Sequence, residues 1–417
     1  MSFETISVIG LGYIGLPTAA AFAARRKQVI GVDVNRQAVD TINRGEIHIV
    51  EPELDMLVHA AVTQGYLRAS STPEPAEAFL VAVPTPFLDG NKPDLSFIQA
   101  ASEAIAPVLK KGDLVVLEST SPVGATEQMA AWMAALRADL TFPQQAGEHS
   151  DIRVAHCPER VLPGHVVREL VENDRVIGGM TPRCGELARE LYQCFVRGEC
   201  ILTDARTAEM CKLTENSFRD VNIAFANEMS VICDTLDINV WELIRLANRH
   251  PRVSILQPGP GVGGHCIAVD PWFIVDSAPD HARLIRTARN VNDDKPRHVI
   301  ERVERAARRF REPVIACLGL AFKANIDDLR ESPALDITLE LAERFVGQVL
   351  VVEPNIRELP AALEGKARLC ELGDALGEAD VILVLVDHTP FKRVDPVRLQ
   401  AKVVIDTRGL LANARVA

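Results

Sequence analysis

The stretch that decides the fold is ISVIGLGYIG, residues 6–15. Its first four residues form a short β-rich run, and a Gly-x-Gly-x-x-Gly pattern follows from Gly10 without a gap. An alanine-rich run from Thr18 to Arg25 predicts a helix, and Gln28–Asp33 predicts the next strand, whose final acid lies 18 residues beyond the last glycine. A strand, a glycine turn, a helix, a strand and an acid in this order are typical of a dinucleotide-binding βαβ unit.

Each part of this unit has a physical reason to bind a dinucleotide. Gly10, Gly12 and Gly15 allow a tight turn, a close approach to a pyrophosphate, and packing of the helix on the strand. The N-terminus of the helix faces the phosphates. Asp33 accepts hydrogen bonds from the ribose hydroxyls and repels a 2′-phosphate, so we expect NAD rather than NADP. The alternative is a glycine turn that binds no ligand.

Further strand-like runs predict that the sheet continues along the chain. They cover Phe79–Val83, Leu114–Leu117, Ile152–Ala155, Arg175–Gly178 and Cys200–Thr203. Polar residues just past the C-termini of strands lie where open parallel sheets bind ligands. Thr85, Thr120 and Thr126 are therefore candidates to line the nicotinamide side, and a role in a turn or helix cap is the alternative for each.

Residues 206–235 contain no glycine or proline, and their apolar residues recur at helical spacing. This pattern predicts a long helix that forms part of a core or of a dimer interface. One of its faces has five polar residues, Glu209, Lys212, Asn216, Arg219 and Asp220. Lys212 and Asn216, one turn apart, could donate hydrogen bonds to a developing oxyanion. The alternative is a solvated helix face.

A glycine-rich run, GPGVGGHCIAVDPW at residues 259–272, contains Cys266. Glycine permits a close approach of the backbone, and a cysteine thiolate is a nucleophile toward a carbonyl carbon. His265 directly precedes the cysteine, and Asp270 follows four residues after it. The run therefore predicts a nucleophilic cysteine, with a glycine-rich turn around a buried free cysteine as the alternative.

Two other segments contain charged candidates. Glu159 and Arg160 stand side by side in a loop that follows a predicted strand. His250 and Arg252 precede the glycine-rich run, and cationic groups beside a glycine loop suit a phosphorylated ligand. A structural surface histidine is the alternative for His250.

The last quarter of the chain predicts a second α/β unit. Pro313–Gly319 repeats the strand-to-glycine pattern, but GLAFK at residues 319–323 replaces the glycine fingerprint, so we expect a ligand other than a dinucleotide pyrophosphate bound in the same way. Ser332 and Pro333 predict the start of a helix that ends near Arg344. Three strands are predicted after it, at Gln348–Val352, Val381–Val386 and Val403–Ile405.

The predicted fold class is α/β, with two Rossmann-like doubly wound domains joined by a long central helical segment. The predicted domains are an NAD-binding domain at residues 1–203, a central helical and dimerisation domain with the cysteine loop at 204–310, and a C-terminal α/β domain at 311–417.

Composition restricts the class of protein further. The chain has 417 residues, of which 47% are hydrophobic and 24% charged, which is typical of a globular protein with two or three domains. The net charge of −12 disfavours partners such as nucleic acid or an anionic membrane. Nine cysteines without paired spacing favour a reducing compartment, and the absence of a CxxC pair gives no indication of a metal site. With neither a signal peptide nor a membrane-length apolar run, we expect a cytoplasmic enzyme or binding protein.

Five motifs, in order along essentially the whole chain, resemble the UDP-glucose/GDP-mannose dehydrogenase family. They are GLGYIGLP with Asp33, Pro158–Arg160, Glu209–Asn216, GVGGHC with Asp270, and Gly319–Lys323. The resemblance implies oxidation of a sugar C6 alcohol to a carboxylate, a four-electron change that uses two NAD in turn. It also implies that Cys266 forms a thiohemiacetal and then a thioester, which water hydrolyses.

The resemblance implies roles for individual residues as well. The chemistry is assigned to Cys266 as nucleophile, Lys212 and Asn216 as oxyanion stabilisers, Asp270 as their hydrogen-bonding neighbour, and Glu159 in thioester hydrolysis. Contacts to NAD are implied for Tyr13, Ile14, Asp33, Thr85, Thr126 and Arg330. Contacts to the nucleotide sugar are implied for Arg160, Val161, Lys212, Asn216, Arg219, His250, Arg252, Gly263, Phe322 and Lys323. In this family an arginine like Arg252 reaches the site from the neighbouring subunit, which implies a homodimer with a shared substrate site.

The cysteine loop also indicates the class of sugar. Family members that act on UDP-glucose usually have GGSCFPKD here, whereas this chain has GGHCIAVD, the form associated with 2-acetamido sugars. The loop therefore implies a UDP-amino-sugar, and the overall resemblance implies UDP-N-acetyl-D-mannosamine, oxidised for enterobacterial common antigen or a related polysaccharide. UDP-N-acetylglucosamine or UDP-glucose is the alternative. In this comparison His265 marks the substrate class and is not a base.

Two functions of other classes remain as alternatives. One is a two-electron hydroxy-acid or 6-phosphogluconate-type dehydrogenase, which needs no nucleophilic cysteine. The other is a non-catalytic dinucleotide sensor in which the cysteine loop is structural.

Overall fold

The computed structural model describes residues 3–49, 51–161, 164–264, 266–345 and 347–411. The strands are β1 (Thr5–Ile9), β2 (Gln28–Val32), β3 (Leu67–Ser70), β4 (Ala78–Val81), β5 (Phe87–Leu88), β6 (Lys92–Pro93), β7 (Leu114–Leu117), β8 (Arg153–His156), β9 (Arg175–Gly179), β10 (Cys200–Asp204), β11 (Val314–Leu318), β12 (Gln348–Val352), β13 (Arg368–Leu369), β14 (Val381–Val384) and β15 (Val403–Asp406). The helices are α1 (Gly15–Ala23), α2 (Arg36–Asn43), α3 (Leu54–Thr63), α4 (Ser96–Ile105), α5 (Ala125–Leu136), α6 (Pro143–Ala146), α7 (Val166–Glu172), α8 (Pro182–Tyr192), α9 (Ala205–Leu236), α10 (Val240–Ala247), α11 (Asp270–Ser277), α12 (Arg283–Ala307), α13 (Pro333–Arg344) and α14 (Leu372–Glu378).

The chain divides into two compact units. The first unit comprises Met1–Glu215 with Asp276–Ala278, and the second comprises Asn216–Val275 with Pro279–Ala417. The boundary falls inside α9, so the first turns of this helix belong to the first unit and the rest to the second. The division into three domains stays a prediction.

The first unit is built on an eight-stranded sheet in the order β10-β9-β8-β7-β4-β1-β2-β3. The six neighbouring strands β8-β7-β4-β1-β2-β3 are all parallel. Their order is typical of dinucleotide-binding sheets, with β1 beside β4 at the centre. β9 pairs antiparallel with β8, and β10 pairs parallel with β9. The predicted α/β fold is confirmed, although the sequence did not predict the reversed direction of the last two strands.

Alternation along the strands explains why this sheet is covered on both faces. Leu80 packs in one apolar cluster with helices α1, α3 and α8, while its neighbours Phe79 and Val81 pack in another with α4 and α5. Successive strand residues point to opposite faces, so an unbroken apolar run requires a layer of helices on each side. This is the doubly wound arrangement that the sequence predicted.

The second unit contains a five-stranded, all-parallel sheet in the order β13-β12-β11-β14-β15. It reproduces the first part of the order seen in the larger sheet, with β11 at the position of β1. The same alternation recurs, since Ile315 and Cys317 belong to one apolar cluster and Ala316 and Leu318 to another. The prediction of a second Rossmann-like unit is confirmed.

The elements differ from their predicted bounds mostly at their ends. The predicted strands 79–83 and 381–386 stop at Val81 and Val384. In the first case the chain approaches Pro84, which has no N–H to donate to a sheet. Helix α1 starts at Gly15, three residues before the predicted start, because the glycine turn leads directly into it.

Helix α9 has 32 residues and therefore a length of about 48 Å. The prediction for residues 206–235 is confirmed to within one residue at each end. Across the described part of the chain, no helix combines the length and the apolar character that a membrane span requires.

Within the second unit, a buried ion pair joins α9 to α12. The Arg289 guanidinium donates to Asp220 Oδ1 at 2.6 Å, and the Asn292 amide donates to the same oxygen at 2.8 Å. Both charged side chains are almost inaccessible to water, with 2% and 0% exposed. Burial raises the pKa of Asp220, and the charge of Arg289 opposes that rise.

We predict that Arg289→Met lowers the free energy of unfolding by about 3–5 kcal/mol, because it leaves a buried carboxylate without a counter-charge. Urea denaturation of the variant and the wild type measures this. Arg297→Met is the matched control, because Arg297 lies on the same helix in an exposed pair with Asp294 and should cost less than about 1 kcal/mol. Equal losses in the two variants would contradict the prediction.

Candidate active site

The glycine fingerprint forms the tight turn that the sequence predicts. Gly10 has a φ of +90°, and a Cβ there would lie 2.7 Å from the Ala82 carbonyl oxygen. A Cβ on Gly15 would lie 1.7 Å from the Gly10 oxygen, so these two positions accept only glycine. Gly12 is different, because nothing lies within 4 Å of its Cβ position. The turn therefore leaves open space at the glycine where a pyrophosphate would approach.

Asp33 lies at the end of β2, beside this turn. Its Oδ2 accepts from the backbone N–H of Leu11 at 2.9 Å, and its Oδ1 accepts from that of Asn35 at 2.8 Å. Each carboxylate oxygen can accept a second hydrogen bond, so the half-buried side chain can still bind two ribose hydroxyls. Tyr13 is 39% exposed and Ile14 immediately precedes α1, so both border the same turn.

Val34 was not among the residues predicted from the sequence. This valine directly follows Asp33 and is 93% exposed, which leaves an apolar side chain in solvent where the adenosine end of a dinucleotide would lie. An apolar residue directly after the acid predicted to bind the ribose is the signal that could have identified it.

The three candidate threonines have different surroundings. Thr85 follows β4 and Thr120 follows β7, and because these strands are neighbours both residues lie at the carboxyl edge of the sheet. The Thr85 hydroxyl is buried and has no hydrogen-bond partner among the described residues, as expected of a group that awaits a ligand. Thr126 is fully buried, and its hydroxyl donates to Glu209 at 2.6 Å.

Glu209 is the first residue of the polar face of α9, and it is only 1% exposed. Besides the Thr126 hydroxyl, its carboxylate accepts from the backbone N–H groups of Gly124 and Thr126 at 2.6 and 2.8 Å. These are free N–H groups at the start of α5, so Glu209 caps that helix from another element. Burial raises its pKa, and the hydrogen bonds from Thr126 and Gly124 oppose the rise.

The loop after β8 holds Glu159, Arg160 and Val161. Glu159 is 8% exposed, and its Oε1 accepts from the backbone N–H of Arg160 at 2.7 Å. The Arg160 guanidinium lies 2.7 Å from Glu215, which is on α9 one turn beyond Cys211. Val161 packs against the apolar core of the first unit. Lys212, on the same helix as Glu215, is half-buried.

In the second unit, the structure brings Asn216 and Asp270 together. The Asn216 amide donates to Asp270 Oδ2 at 2.5 Å, and both residues are more than nine-tenths buried. Asp270 is the first residue of α11, and its backbone N–H donates to the Cys266 carbonyl at 2.9 Å. Cys266 therefore lies one turn before α11, beside the residue that Asn216 binds.

Cys266 also differs from the other cysteines. All nine lie within the described ranges and none of them forms a disulfide, and Cys266 is the exposed one. Burial raises the pKa of Cys157 and of Cys317 to about 12, so those thiols stay neutral. Cys266 is exposed and follows a glycine-rich segment, so a carbonyl compound can reach its thiol.

The glycines before Cys266 have a reason that the sequence did not reveal. A Cβ on Gly263 would lie 2.2 Å from the Glu331 carbonyl oxygen and 3.2 Å from Phe322 Cβ. Gly264 donates its N–H to the same carbonyl at 3.2 Å, and a Cβ there would lie 2.9 Å from the Phe322 ring. The sequence predicts only that the glycines permit a close approach, and these two admit the backbone and side chains of the C-terminal sheet's first loop. The cysteine loop is thereby fixed to residues 322–331.

The start of the same loop is held by a polar chain. Asn227 Oδ1 accepts from the Gly259 N–H at 2.9 Å, and its amide donates to Asn292 at 2.8 Å. A Cβ on Gly259 would lie 2.8 Å from the Arg408 guanidinium, which donates to Asp387 at 2.8 Å. Arg408 was not predicted, because nothing in a cation near the C-terminus indicates that it lies against the cysteine loop.

The remaining predicted substrate residues have basic side chains and are accessible. Arg219, His250 and Arg252 are exposed, and Lys323 is half-buried beside Phe322. Arg330 pairs with Asp328 of its own loop at 2.6 Å. His265 lies outside the described residues. In the described part of the chain, no group of three His, Cys, Asp or Glu side chains is arranged to hold a metal ion.

Comparison with known proteins gives a consistent result along the chain. Three family models match: the NAD-binding domain of the UDP-glucose/GDP-mannose dehydrogenase family at residues 4–196, its central domain at 206–294 and its UDP-binding domain at 316–413. An NDP-N-acetyl-D-galactosaminuronic acid dehydrogenase of Ralstonia nicotianae is 70% identical over 100% of this chain and 98% of its own. A UDP-N-acetyl-D-mannosamine dehydrogenase of Escherichia coli is 64% identical over 98% of this chain and 100% of its own. The solved structure of a UDP-D-ManNAc dehydrogenase from Pyrococcus horikoshii matches with a TM-score of 0.88 and 39% identity, covering 97% of this chain and 96% of that one.

We predict that Gly263→Ala lowers turnover about a hundredfold, because the new methyl group displaces the cysteine loop from Glu331 by an ångström or more. NADH formation measures turnover, and the thermal midpoint shows whether the fold persists. Gly377→Ala is the control, since nothing lies within 4 Å of its Cβ position in exposed α14. That variant should keep full turnover and be slightly more stable. Normal turnover in Gly263→Ala would show that the close packing does not fix the loop.

Proposed function

Because the chain belongs to the UDP-glucose/GDP-mannose dehydrogenase family, we propose that it oxidises the C6 alcohol of UDP-N-acetyl-D-mannosamine to a carboxylate. The observation that supports this most is the exposed thiol of Cys266, one turn before the buried Asp270–Asn216 hydrogen bond. A two-electron alcohol oxidation needs no such thiol, whereas oxidation of an aldehyde to an acid proceeds readily through a thioester.

The residues of the first unit fit an NAD molecule. Gly10, Gly12 and Gly15 form the turn for the pyrophosphate, Asp33 binds the ribose, and Tyr13 and Ile14 border the turn. Thr85, Thr120, Thr126 and Arg330 complete the proposed set of contacts. NAD, when bound by these residues, would supply the hydride acceptor for two successive oxidations. The free lone pairs of Asp33 and the unpartnered Thr85 hydroxyl are the observations that support this assignment.

Cys266 acts between the two oxidations. Its sulfur attacks the C6 aldehyde that the first oxidation produces, and the oxygen of the thiohemiacetal becomes an alkoxide. Oxidation of this adduct gives a thioester. Water then attacks the thioester carbonyl, the carbon–sulfur bond breaks with its electron pair on sulfur, and the carboxylate leaves.

The polar residues have separate tasks in this sequence. The Lys212 ammonium and the Asn216 amide donate to the negatively charged oxygen at C6. Asp270 keeps the Asn216 amide oriented through the bond at 2.5 Å. Glu159 accepts the proton of the hydrolytic water, because its carboxylate oxygens retain lone pairs beyond the Arg160 bond.

The UDP-amino-sugar is held by cationic and loop residues. Arg160, Arg219, His250, Arg252 and Lys323 are the groups that we propose for the phosphates and the sugar, since accessible cations bind an anionic nucleotide in a chain of net charge −12. Val161, Gly263 and Phe322 supply the uncharged contacts.

The identity of the sugar has two candidates among the relatives. A relative at 64% identity is a UDP-N-acetyl-D-mannosamine dehydrogenase, whereas one at 70% is an NDP-N-acetyl-D-galactosaminuronic acid dehydrogenase. The second relative favours a galacto-configured 2-acetamido sugar as the alternative substrate. Both sugars carry the 2-acetamido group that the GGHCIAVD loop predicts. We also propose a cytoplasmic location and a role in polysaccharide synthesis. Nine cysteines without a disulfide among the described residues support a reducing compartment.

The test is turnover with UDP-ManNAc, UDP-GalNAc, UDP-GlcNAc and UDP-glucose, each assayed for NADH and product. We expect the highest kcat/KM with UDP-ManNAc and two NADH for each sugar consumed. Preference for UDP-GalNAc would replace the substrate but keep the reaction. One NADH per sugar with release of an aldehyde or ketone would contradict the four-electron reaction, and no turnover with any sugar nucleotide would favour a dinucleotide sensor.

The Cys266→Ser variant tests the covalent step in the same assay. A serine can form a hemiacetal and an ester, but the ester hydrolyses more slowly than a thioester, so we expect partial oxidation followed by an ester on the protein. Intact mass spectrometry measures the adduct. Unaltered turnover of Cys266→Ser would remove the cysteine from the mechanism.

We also propose that the protein is a homodimer that pairs along α9. Phe218, Phe225 and Ile232 are spaced by seven residues and 68%, 50% and 41% exposed, so they form an apolar stripe on one side of the helix. The buried Asn227 and Ser230 lie on the other side. An exposed apolar stripe along a long helix favours an interface with a second copy of the chain.

We predict that the wild type has twice the chain mass of 45.6 kDa in sedimentation, and that Phe225→Lys shifts it toward the monomer. Val397→Lys is the control, because Val397 is 65% exposed but lies far from α9 in sequence.

The shared site has its own test, in which inactive Arg252→Ala and Cys266→Ser dimers are unfolded together and refolded. If Arg252 serves the partner's site, mixing restores about a quarter of the wild-type activity, since half of the dimers are hybrids with one intact site. No recovery would contradict the shared site.

A further inference from the structure

A buried arginine lies next to Glu159 and has no role in the proposed reaction so far. Arg175 is the first residue of β9 and is 3% exposed. Its guanidinium lies over the rings of Tyr192 and Phe195, 4.7 and 5.5 Å from their centroids. Two aromatic faces hold a desolvated cation in one orientation, so the guanidinium plane is fixed.

The fixed guanidinium faces the Glu159 carboxylate. Arg175 Nη2 lies 3.0 Å from Glu159 Oε2, as an ion pair rather than a linear hydrogen bond, and both side chains are less than a tenth exposed. The other oxygen, Oε1, accepts from the backbone N–H of Arg160. Glu159 is thus held from two sides, and each of its oxygens retains a lone pair.

Stability alone is a poor explanation for this pair. Removing two charges from water costs several kcal/mol per ion, and apolar replacements of buried pairs are often as stable or more stable. Perturbed, buried charges gather at functional sites for that reason. Glu159 follows β8 at the carboxyl edge of the parallel sheet, where such sheets bind ligands. Arg175 reaches it from the start of β9.

A second acid completes the electrostatic balance. Glu118 follows β7 and is fully buried, and its Oε1 accepts from the Tyr192 hydroxyl at 2.6 Å. Burial raises the pKa of Glu118 to about 7, against the opposing effects of Arg175 and Tyr192. A group with a pKa of about 7 is about half protonated at neutral pH, so Glu118 competes only in part with Glu159 for the charge of Arg175.

The other groups around Glu159 add no competing charge. Among the described residues, the titratable and charged groups that face it besides Glu118 are Cys157, Arg160 and Arg175. Burial raises the pKa of Cys157 to about 12 and raises that of Tyr192 as well, so both stay neutral. The Arg160 guanidinium pairs with Glu215.

We infer that Arg175 is the positioning residue of Glu159, holding this carboxylate in the orientation needed for hydrolysis of the Cys266 thioester. The inference rests on the proposed function. In the step that it serves, the water oxygen bonds to the thioester carbonyl carbon and its proton passes to Glu159, while the carbon–sulfur bond breaks and its electron pair stays on sulfur. Arg175 touches none of the reacting atoms.

The test uses Arg175→Met and Arg175→Lys in single-turnover experiments with NAD in excess. We expect NADH to form at rates within about threefold of the wild type, whereas hydrolysis slows about a hundredfold in the methionine variant. Intact mass spectrometry then detects the thioester on Cys266. Lysine keeps the charge but not the planar fork, so Arg175→Lys should recover part of the hydrolysis rate.

The balance between the steps distinguishes positioning from general support of the fold. If Arg175 orients Glu159, hydrolysis alone slows in Arg175→Met, and the ratio of hydrolysis to NADH formation falls. This ratio should recover in part in Arg175→Lys. Loss of a merely structural residue slows all steps together and leaves the ratio unchanged. If Arg175→Met fails to fold, the ratio of hydrolysis to NADH formation in Arg175→Lys decides the question.

Two further variants distinguish a failure of the role proposed for Glu159 from a failure of the inference about Arg175. Arg137→Met is a matched control in the same unit, because Arg137 donates to the carbonyls of Ala106 and Leu109 before β7, and it should leave the ratio unchanged. Glu159→Gln should accumulate the thioester as Arg175→Met does. Normal hydrolysis in Glu159→Gln would overturn the proposed role of Glu159. A thioester in Glu159→Gln with unchanged ratios in both Arg175 variants would overturn this inference alone.

Discussion

Both candidate binding regions depend on backbone segments that lie too close together to leave room for a Cβ atom. In the first unit the Gly15 backbone lies where a methyl group would be 1.7 Å from the Gly10 oxygen, and this contact joins α1 to the end of β1. In the second unit Gly263 meets the Glu331 carbonyl in the same way. One contact shapes the turn for a pyrophosphate, and the other fixes the segment that ends in Cys266. A single methyl group at either position forces the backbone to move.

Buried polar side chains along α9 add a second kind of constraint. Glu209, Asn216 and Asp220 each lose contact with water, so each requires a partner. Their partners are different parts of the chain: the start of α5 for Glu209, the first residue of α11 for Asn216, and α12 for Asp220. The same helix thus orients a capped helix in one unit and the base of the cysteine loop in the other. For these three residues, the alternative of a solvated face does not apply.

The sequence predicted the elements well because the information is local. Alternation of apolar residues, the glycine fingerprint and a run without glycine or proline determine β1, α1 and α9 from a few neighbouring residues. It predicted the contacts between distant segments poorly. Glu209 contacts Thr126, 83 residues away, and no pattern in either segment indicates the other. Arg175 looked like the polar start of a strand, and its burial depends on two aromatic rings from α8 and the turn after it. Both are decided by packing, which a single sequence does not encode in periodic form.

The two α/β units share a strand order but differ in how their first loops are built. Gly319-Leu320-Ala321 stands where Gly10-Leu-Gly12 stands in the first unit, and Glu353 follows β12 as Asp33 follows β2. Glu353 Oε2, however, accepts from the N–H groups of Leu320 and Ala321 at 2.8 and 3.1 Å and lies 2.9 Å from the His388 ring, with no part of its side chain exposed. A ribose has no access to that carboxylate, and Ala321 has a methyl group where Gly12 faces open space. In the second unit, Glu353 therefore holds the loop that follows β11. That loop includes Phe322, against which the cysteine loop packs.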